Sequence, residues 1–343
     1  MKLKEKINEK EIIIVTGIRR VGKTTILRML FNELNSSNKV LFDMENPLDQ
    51  KVFEEEDYNN ILENLKHYKI NKEEKIYIFI DEIQLKPDIV KAVKYLYDHY
   101  NIKFFLTGSS SYYLKNLFPE SLSGRKIIFE MYPLDFEEFL IFKGFNKNFY
   151  KDFKEKEKNK NKIEYEKVKK LYDEYFLFGG FPQVVLSLEY EKKKEVLTDI
   201  FTSYFEKEVK SLADFRNINI FRDLMLLLLK RVGTKIDIAK LSSELGIARD
   251  SVYSYMSFLE KTYFIKLISS YSKSIDREIS GRKKIYVCDT GIANYFGKPD
   301  EGKLLENAIL NNLKDYGEVK YYERRTGGEV DFLLPDKKIA LEI

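Results

Sequence analysis

A glycine- and lysine-containing loop between two regular segments most constrains how this chain can fold. The apolar run from Ile12 to Val15 ends at Gly17, and a helix-like apolar pattern runs from Lys23 to Leu30. Glycines let several backbone N–H groups face one anion, and the next helix adds its positive dipole end. This arrangement predicts a P-loop in which Lys23 reaches the β- and γ-phosphates and Thr24 ligates Mg²⁺. The predicted nucleotide-binding residues are Gly17, Ile18, Arg19, Arg20, Val21, Gly22, Lys23, Thr24 and Thr25.

A second apolar run supplies the carboxylates that such a site needs. Residues 76–80 read Ile-Tyr-Ile-Phe-Ile, which is typical of a buried parallel strand, and Asp81 and Glu82 follow directly. Open α/β sheets bind ligands at the carboxyl ends of their strands. We therefore expect Asp81 to hold Mg²⁺ and Glu82 to polarise the attacking water. The alternative is a solvated acidic pair that only caps a helix.

Two further segments carry candidate catalytic residues. The strand-like run 103–106 leads into Thr107-Gly108-Ser109-Ser110, and this predicts that Thr107 or Ser109 faces the γ-phosphate or the attacking water. The alternative is an ordinary turn and helix cap. Arg125 precedes the apolar run 127–129. It is a candidate for stabilising charge on the transferred phosphoryl group, in cis or from a neighbouring subunit, although a lone arginine there is more often a surface residue.

Residues 11–135 alternate short apolar runs with helical patterns, which predicts an α/β fold with a parallel sheet and helices on both faces. The predicted strands cover about 12–16, 39–43, 76–81, 102–107 and 127–132.

These motifs together resemble the prokaryotic AAA+ ATPases that are abundant in archaea. The resemblance rests on the loop 17–25, the segment 42–47, the strand ending in Asp81-Glu82-Ile83-Gln84, the 107–110 cluster and the stretch 124–134. It continues through Phe178-Gly179-Gly180-Phe181-Pro182, the region 241–259 and the segment 284–291, which look like the C-terminal module fused to those ATPases. The resemblance implies ATP and Mg²⁺ as ligands, matches Arg125 to the family's arginine finger or sensor, and places 178–182 in a helical lid.

The pattern and the resemblance predict four parts. They are an AAA+ ATP-binding domain (1–140), a helical lid or linker (141–230), a winged helix-turn-helix (231–298) and the start of a nuclease-like domain (299–343).

Composition excludes several other classes of protein. The 343 residues suffice for two to three domains, and 44% hydrophobic with 33% charged residues is typical of globular chains. The lone Cys288 excludes an internal disulfide and a zinc cluster. A net charge of +4 is too small to argue for nucleic acid. The sequence shows neither an apolar signal segment nor a membrane span, so we expect a cytoplasmic location.

Residues 236–262 predict a helix-turn-helix. Asp237 can cap the first helix, residues 246–248 break it, and a second helix starts at Arg249. Two strands joined by a turn across 263–288 would complete a winged helix. This predicts contact with double-stranded DNA, whereas the alternative is a protein-docking or rigid lid module, because Asp250 would repel phosphate. The candidate DNA contacts are Arg249, Ser251, Tyr253, Ser254, Lys273, Arg277, Arg282, Lys283 and Lys284.

The C-terminal segment carries a second candidate metal site. Glu306 in a helical pattern, Asp331 on one strand and Glu342 on the next are ordered like the Mg²⁺ ligands of PD-(D/E)xK nucleases. That pattern also needs a lysine at position 344, one past Ile343. The expectation is therefore either a longer natural chain or a degenerate domain, and the alternative gives these acids a structural role only.

The sequence leaves three function classes open. The first is a Mg²⁺-dependent ATPase whose hydrolysis rearranges the lid and winged helix on DNA or a protein partner. The second is a nucleotide-regulated switch or scaffold with little turnover. The third is an ATPase-linked nuclease. The oligomeric state is left open.

Overall fold

The computed structural model describes residues 2–109, 124–145, 153–159, 161–209, 218–324 and 327–343. The chain forms two compact units, Met1–Tyr132 and Pro133–Ile343.

A five-stranded sheet in the order β2-β3-β4-β1-β5 forms the centre of the first unit, and every neighbouring pair is parallel. All residues of β1 and β4 are buried, which explains why these strands read as continuous apolar runs. The predicted α/β fold with a parallel sheet is confirmed. The strands are β1 (Ile12–Gly17), β2 (Lys39–Asp43), β3 (Ile76–Asp81), β4 (Ile102–Gly108) and β5 (Lys126–Met131).

Helices complete this unit and give it two apolar layers. Successive side chains of a strand point to opposite faces of its sheet. Accordingly, Ile12 and Ile14 belong to one buried cluster, whereas Ile13 and Val15 belong to the other. The helices are α1 (Lys2–Glu5), α2 (Lys23–Glu33), α3 (Pro47–Lys51), α4 (Asn60–Lys66) and α5 (Ile89–His99).

The second unit is mainly helical in its first part and contains two small antiparallel sheets in its second. Its strands are β6 (Ile265–Ile268) paired with β7 (Lys284–Val287), and β8 (Lys320–Glu323), β9 (Glu329–Leu334) and β10 (Ile339–Leu341) in the order β10-β9-β8. Its helices are α6 (Phe136–Phe142), α7 (Phe153–Lys158), α8 (Lys162–Phe178), α9 (Pro182–Leu186), α10 (Tyr190–Tyr204), α11 (Ile218–Lys230), α12 (Ile238–Leu245), α13 (Arg249–Lys261), α14 (Ile275–Ser280), α15 (Thr290–Ile292) and α16 (Glu301–Asn312).

Helices α12 and α13 follow the predicted pattern. The Asp237 side chain accepts a hydrogen bond from the Lys240 N–H at 3.0 Å and caps α12. Gly246, with φ +64°, ends that helix in the left-handed region. The connection between β6 and β7 differs from the predicted turn, because it contains α14. The Ser272 N–H donates to Glu278 Oε1 at 2.9 Å, which anchors the start of this short helix.

Two glycine-containing motifs pack against each other around the buried Asp289. The Gly180 N–H donates to Asp289 Oδ2 at 2.7 Å, and a Cβ on Gly179 would lie 2.0 Å from Asp289 Oδ1. A Cβ on Gly291 would lie 2.1 Å from the Phe178 carbonyl oxygen. Burial raises the pKa of Asp289 to about 6. Close packing therefore accounts for the glycines at 179 and 291.

No helix in the described ranges is long and apolar enough to cross a membrane.

Candidate nucleotide-binding site

The loop between β1 and α2 lies at the carboxyl edge of the parallel sheet. Arg20 (φ +67°) and Gly22 (φ +100°) have left-handed backbone conformations, which turn the chain sharply into α2. At Gly17, a Cβ would lie 2.0 Å from the Met131 carbonyl oxygen, so β5 passes too close for any side chain. The path of the loop thus depends on glycine at its first position.

Lys23 is held inside this loop. Its side chain is 4% exposed, and its ammonium group donates to the carbonyl oxygens of Gly17 (2.9 Å) and Ile18 (3.1 Å). A buried ammonium at a helix N-terminus is suited to an anionic ligand.

The other loop residues fall into two groups. Ile18 and Val21 are buried and anchor the loop. Arg19 lies 3.9 Å from Glu45, and Thr25 is exposed on α2. Arg19, Arg20 and Thr25 stay predicted nucleotide-binding residues.

Asp81 lies at the end of β3, is 3% exposed and accepts a hydrogen bond from the Thr107 hydroxyl, and the Thr24 side chain lies near its carboxylate. Burial raises the pKa of this carboxyl group, and Glu82 and Asp43 nearby act in the same direction. A buried carboxylate beside a threonine hydroxyl is a hard-oxygen donor set, so these residues fit a Mg²⁺ ion.

Glu82, Gln84 and Ser109 form a linked group beside Asp81. Glu82 has a left-handed backbone (φ +53°), and its N–H donates to Thr107 Oγ1 at 3.1 Å. The amide nitrogen of Gln84 donates both to the Glu82 carboxylate and, at 3.1 Å, to Ser109 Oγ. Gln84 is 6% exposed, and its Oε1 has no hydrogen-bond partner among the residues that the structure describes. Sequence reasoning missed this residue in a functional role, and Ser110 lies outside the described residues.

The structure contradicts a role for Arg125 at this site within one chain. The Ile12 N–H donates to the Arg125 carbonyl oxygen at 2.7 Å, so Arg125 lies where β1 and β5 begin. The loop follows the other end of β1, about 16 Å away along the strand. The Arg125 guanidinium pairs with Asp98 at 3.2 Å. A role in trans stays a prediction.

Most of the candidate DNA-contact residues lie on the surface of the second unit. Arg249, Tyr253, Ser254, Lys273, Arg277, Arg282 and Lys283 are exposed, and Ser251 is half-buried. Arg282 pairs with Asp237 at 3.1 Å. Tyr253 is 59% exposed at the centre of α13.

Lys284 is a correction to the predicted DNA contacts. Its side chain is 2% exposed, and its ammonium group forms ion pairs with Glu306 (3.6 Å), Asp331 (3.4 Å) and Glu329. A lysine buried among three carboxylates cannot also reach a phosphate on the surface.

The nuclease-like metal site predicted from Glu306, Asp331 and Glu342 is also not formed. Among the described residues, no three acidic, histidine or cysteine side chains are grouped so that they could hold a metal ion. Lys284 lies between Glu306 and Asp331 instead, and the Glu342 side chain is exposed. The ammonium group of Lys284 thus lies where the sequence predicted a metal ion ligated by these acids.

Comparison with known proteins identifies the class of the first unit. Residues 9–140 match the model of a family described as "AAA domain", and residues 169–302 match "Domain of unknown function (DUF8612)". The uncharacterized protein MJ1544 of Methanocaldococcus jannaschii is 31% identical over 338 residues, which cover 94% of this chain and 72% of that protein. An uncharacterized protein of Haemophilus influenzae is 26% identical over 335 residues, with coverages of 94% and 79%.

Among solved structures, the Aeropyrum pernix ORC1 protein in complex with DNA aligns over 91% of this chain and 92% of its own. The sequence identity is 13% and the TM-score 0.36, a likeness too low to carry an argument.

Proposed function

We propose that this chain, which belongs to the same protein family as MJ1544 of Methanocaldococcus jannaschii, is a Mg²⁺-dependent ATPase of the AAA+ class. The observation that carries the proposal is the convergence of Lys23, Thr24, Asp81 and Glu82 at one edge of the sheet. An AAA domain binds nucleotide, and these residues supply the parts that hydrolysis needs.

Each side chain then has a defined task. The loop N–H groups and Lys23 bind the β- and γ-phosphates, and Thr24 and Asp81 hold Mg²⁺, which neutralises charge on the phosphate oxygens when bound. Glu82 orients a water molecule and accepts its proton as the water oxygen attacks the γ-phosphorus. The bond from this phosphorus to the bridging oxygen breaks, and ADP and phosphate are released. Ser109 donates to a γ-phosphate oxygen.

ATP turnover in wild type and in Glu82→Gln tests this proposal. We expect Glu82→Gln to bind ATP normally and to turn it over at least about 100-fold more slowly, because the general base is lost. Chelation of Mg²⁺ should abolish turnover of the wild type. The matched control is Glu73→Gln, which changes an exposed glutamate in the same unit.

A nucleotide-regulated switch is the second candidate. It is favoured by the hydrogen bond that Gln84 donates to Glu82, because this bond engages the carboxylate that must orient water. If wild type and Glu82→Gln both bind ATP and neither hydrolyses it with or without DNA, the ATPase proposal fails and the switch remains.

We further propose that α12, α13, β6 and β7 form a winged helix that contacts a partner. Exposed Arg249 and Lys283 support double-stranded DNA. The affinity for a duplex should then fall with rising salt, and Arg249→Ala should reduce the salt slope by about 0.9. A flat response of affinity to salt contradicts contact with DNA.

A protein partner is the alternative for this module. A groove of about 470 Å³ beside α13 is lined by Tyr253, Met256, Leu267 and Ile279, and Ile279 is 74% exposed. An exposed apolar surface of this kind is more typical of protein contacts than of phosphate contacts. Failure to bind DNA combined with loss of partner binding in Ile279→Asp supports this alternative.

A further inference from the structure

The second unit carries another concave surface, which does not include α13. It is an open groove of about 1020 Å³ between the segment 270–274, Arg277 of α14, and the sheet β8-β9-β10. Val330, Leu333 and Ala340 contribute apolar surface to it. We call this surface the sheet groove.

The charge of the sheet groove is positive. It is lined by three exposed cations, Lys273, Arg277 and Arg324, and none of them forms an ion pair within the described ranges. The acid in its lining, Glu323, pairs with Lys235 at 2.8 Å. Arginine and lysine side chains that lack carboxylate partners and line one concave surface attract a polyanion.

Hydroxyl and aromatic groups alternate with these cations. Ser270, Ser272 and Ser274 line the groove together with the rings of Tyr271 and Tyr322. A basic groove with aromatic side chains is the arrangement by which proteins bind single-stranded nucleic acid, since phosphates contact the cations and bases stack on the rings. In a duplex the bases are paired and cannot reach such rings.

The groove is held in shape before any ligand binds. The Tyr271 N–H donates to the Tyr321 carbonyl oxygen at 2.6 Å, and the Tyr321 N–H donates to the Ser269 carbonyl oxygen at 3.1 Å. Lys320 of β8 pairs with Glu278 of α14 at 2.8 Å. These bonds fix the segment that carries Lys273 and Arg277 against the sheet that carries Tyr322 and Arg324, which lowers the entropy cost of binding.

We propose that the sheet groove binds single-stranded nucleic acid, with backbone phosphates at Lys273, Arg277 and Arg324 and bases on Tyr271 and Tyr322. This proposal assigns Lys273 and Arg277 to a single strand instead of the duplex predicted from the sequence, it uses no residue of α13, and it does not depend on ATP hydrolysis.

The test uses the full chain and a fluorescent 20-nucleotide oligo-dT, with binding followed by anisotropy across a salt series. We expect Arg277→Ala and Arg324→Ala each to weaken binding and to reduce the salt slope by about 0.7, the value for one phosphate contact on a single strand. Tyr322→Ala should weaken binding about tenfold, whereas Tyr322→Phe should retain it because the ring still stacks.

Arg222→Ala is the matched control, since it removes an exposed arginine of the same unit outside the groove and should leave oligo-dT binding unchanged. Thermal melting of each variant checks that the unit is folded. Absence of oligo-dT binding, or binding that none of the groove substitutions alters, overturns the proposal. Equal affinity for a duplex that needs the same groove residues also overturns it. ATP turnover is measured separately, so failure of the ATPase proposal leaves this test intact.

Discussion

Gln84 joins two side chains of the candidate site that the sequence could not connect. Its amide nitrogen bonds to the Glu82 carboxylate and to Ser109 Oγ, and it is buried where it does so. In the ATPase proposal this bond orients the Glu82 carboxylate, and Gln84 is a positioning residue that acts through Glu82. In the switch alternative the same bond keeps the carboxylate from water, and loss of Gln84 raises turnover instead. Gln84→Met, which keeps the volume of the side chain and removes its hydrogen bonds, should lower ATP turnover about tenfold or more and leave the Kd for ATP unchanged.

A double-mutant cycle separates positioning from a purely structural effect. In the Glu82→Gln background, Gln84→Met should cause no further loss, because its target is already gone. The control is Gln50→Met, which removes the 2.8 Å bond from another glutamine amide to the Met44 carbonyl oxygen, away from Glu82. Equal losses in both backgrounds contradict the positioning role.

For single residues, the sequence predicts those roles that follow from a position at the end of a strand or at the start of a helix. Asp81 ends a strand, and Lys23 begins a helix after a glycine loop, so both could be assigned from spacing. The bonds of Gln84 could not, because a contact between side chains of two separate loops leaves no periodic pattern. Arg125 was assigned by resemblance, and the parallel register of β5 then placed it at the wrong edge of the sheet for a role in cis.

At the scale of elements, Lys284 ties together a strand, a helix and a second strand. It lies on β7, and its ammonium group is shared by Glu306 of α16 and by Glu329 and Asp331 of β9. We expect Lys284→Met to destabilise the second unit by about 3–5 kcal/mol, since it leaves carboxylates without their buried counter-charge. Urea unfolding measures this loss.

Lys283→Met is the matched control, because Lys283 is the neighbouring residue and is exposed. It should change the free energy of unfolding by less than about 0.5 kcal/mol. A Lys284→Met variant as stable as the control would show that the ion pairs contribute nothing net. Sequence reasoning assigned Lys284 to the surface because a basic run around it suggested a solvated wing, and its burial depends on α16 and β9, which follow later in the chain.

At the scale of the whole molecule, the two units differ in how far the sequence predicts them. The strands of the first unit were predicted to within one residue at each end, because both faces of a parallel sheet are buried and the runs are bounded by polar residues. In the second unit, α12 and α13 follow helical periodicity. Helix α14 was missed because it is only six residues long and buries no residue. Its apolar pair, Ile275 and Ile279, is 72% and 74% exposed, so no longer apolar pattern marks the helix in the sequence.

Asp289 should lower the stability of the second unit as pH rises, which is the opposite of the effect of a carboxyl group whose pKa is lowered by folding. Burial raises its pKa from 3.8 to about 6, so between these values the folded chain binds a proton that the unfolded chain releases. The free energy of unfolding contributed by this group therefore decreases as pH rises through 4 to 6. The expected loss is about 3 kcal/mol, from 1.36 kcal/mol for each pKa unit.

Comparison with Asp289→Asn isolates this effect, because carboxyl groups whose pKa is lowered, such as Glu329, contribute the opposite slope in both proteins. The chain has two units that can unfold separately, so a local probe of the second unit is used. Hydrogen exchange of the peptide 284–297 in urea, corrected for the intrinsic rate at each pH, reports on the unit that contains Asp289.

The wild type should lose stability relative to Asp289→Asn between pH 4 and pH 7. A difference between the two proteins that stays constant over this range would mean that Asp289 does not change its charge there, and that its backbone hydrogen bonds outweigh the cost of burial.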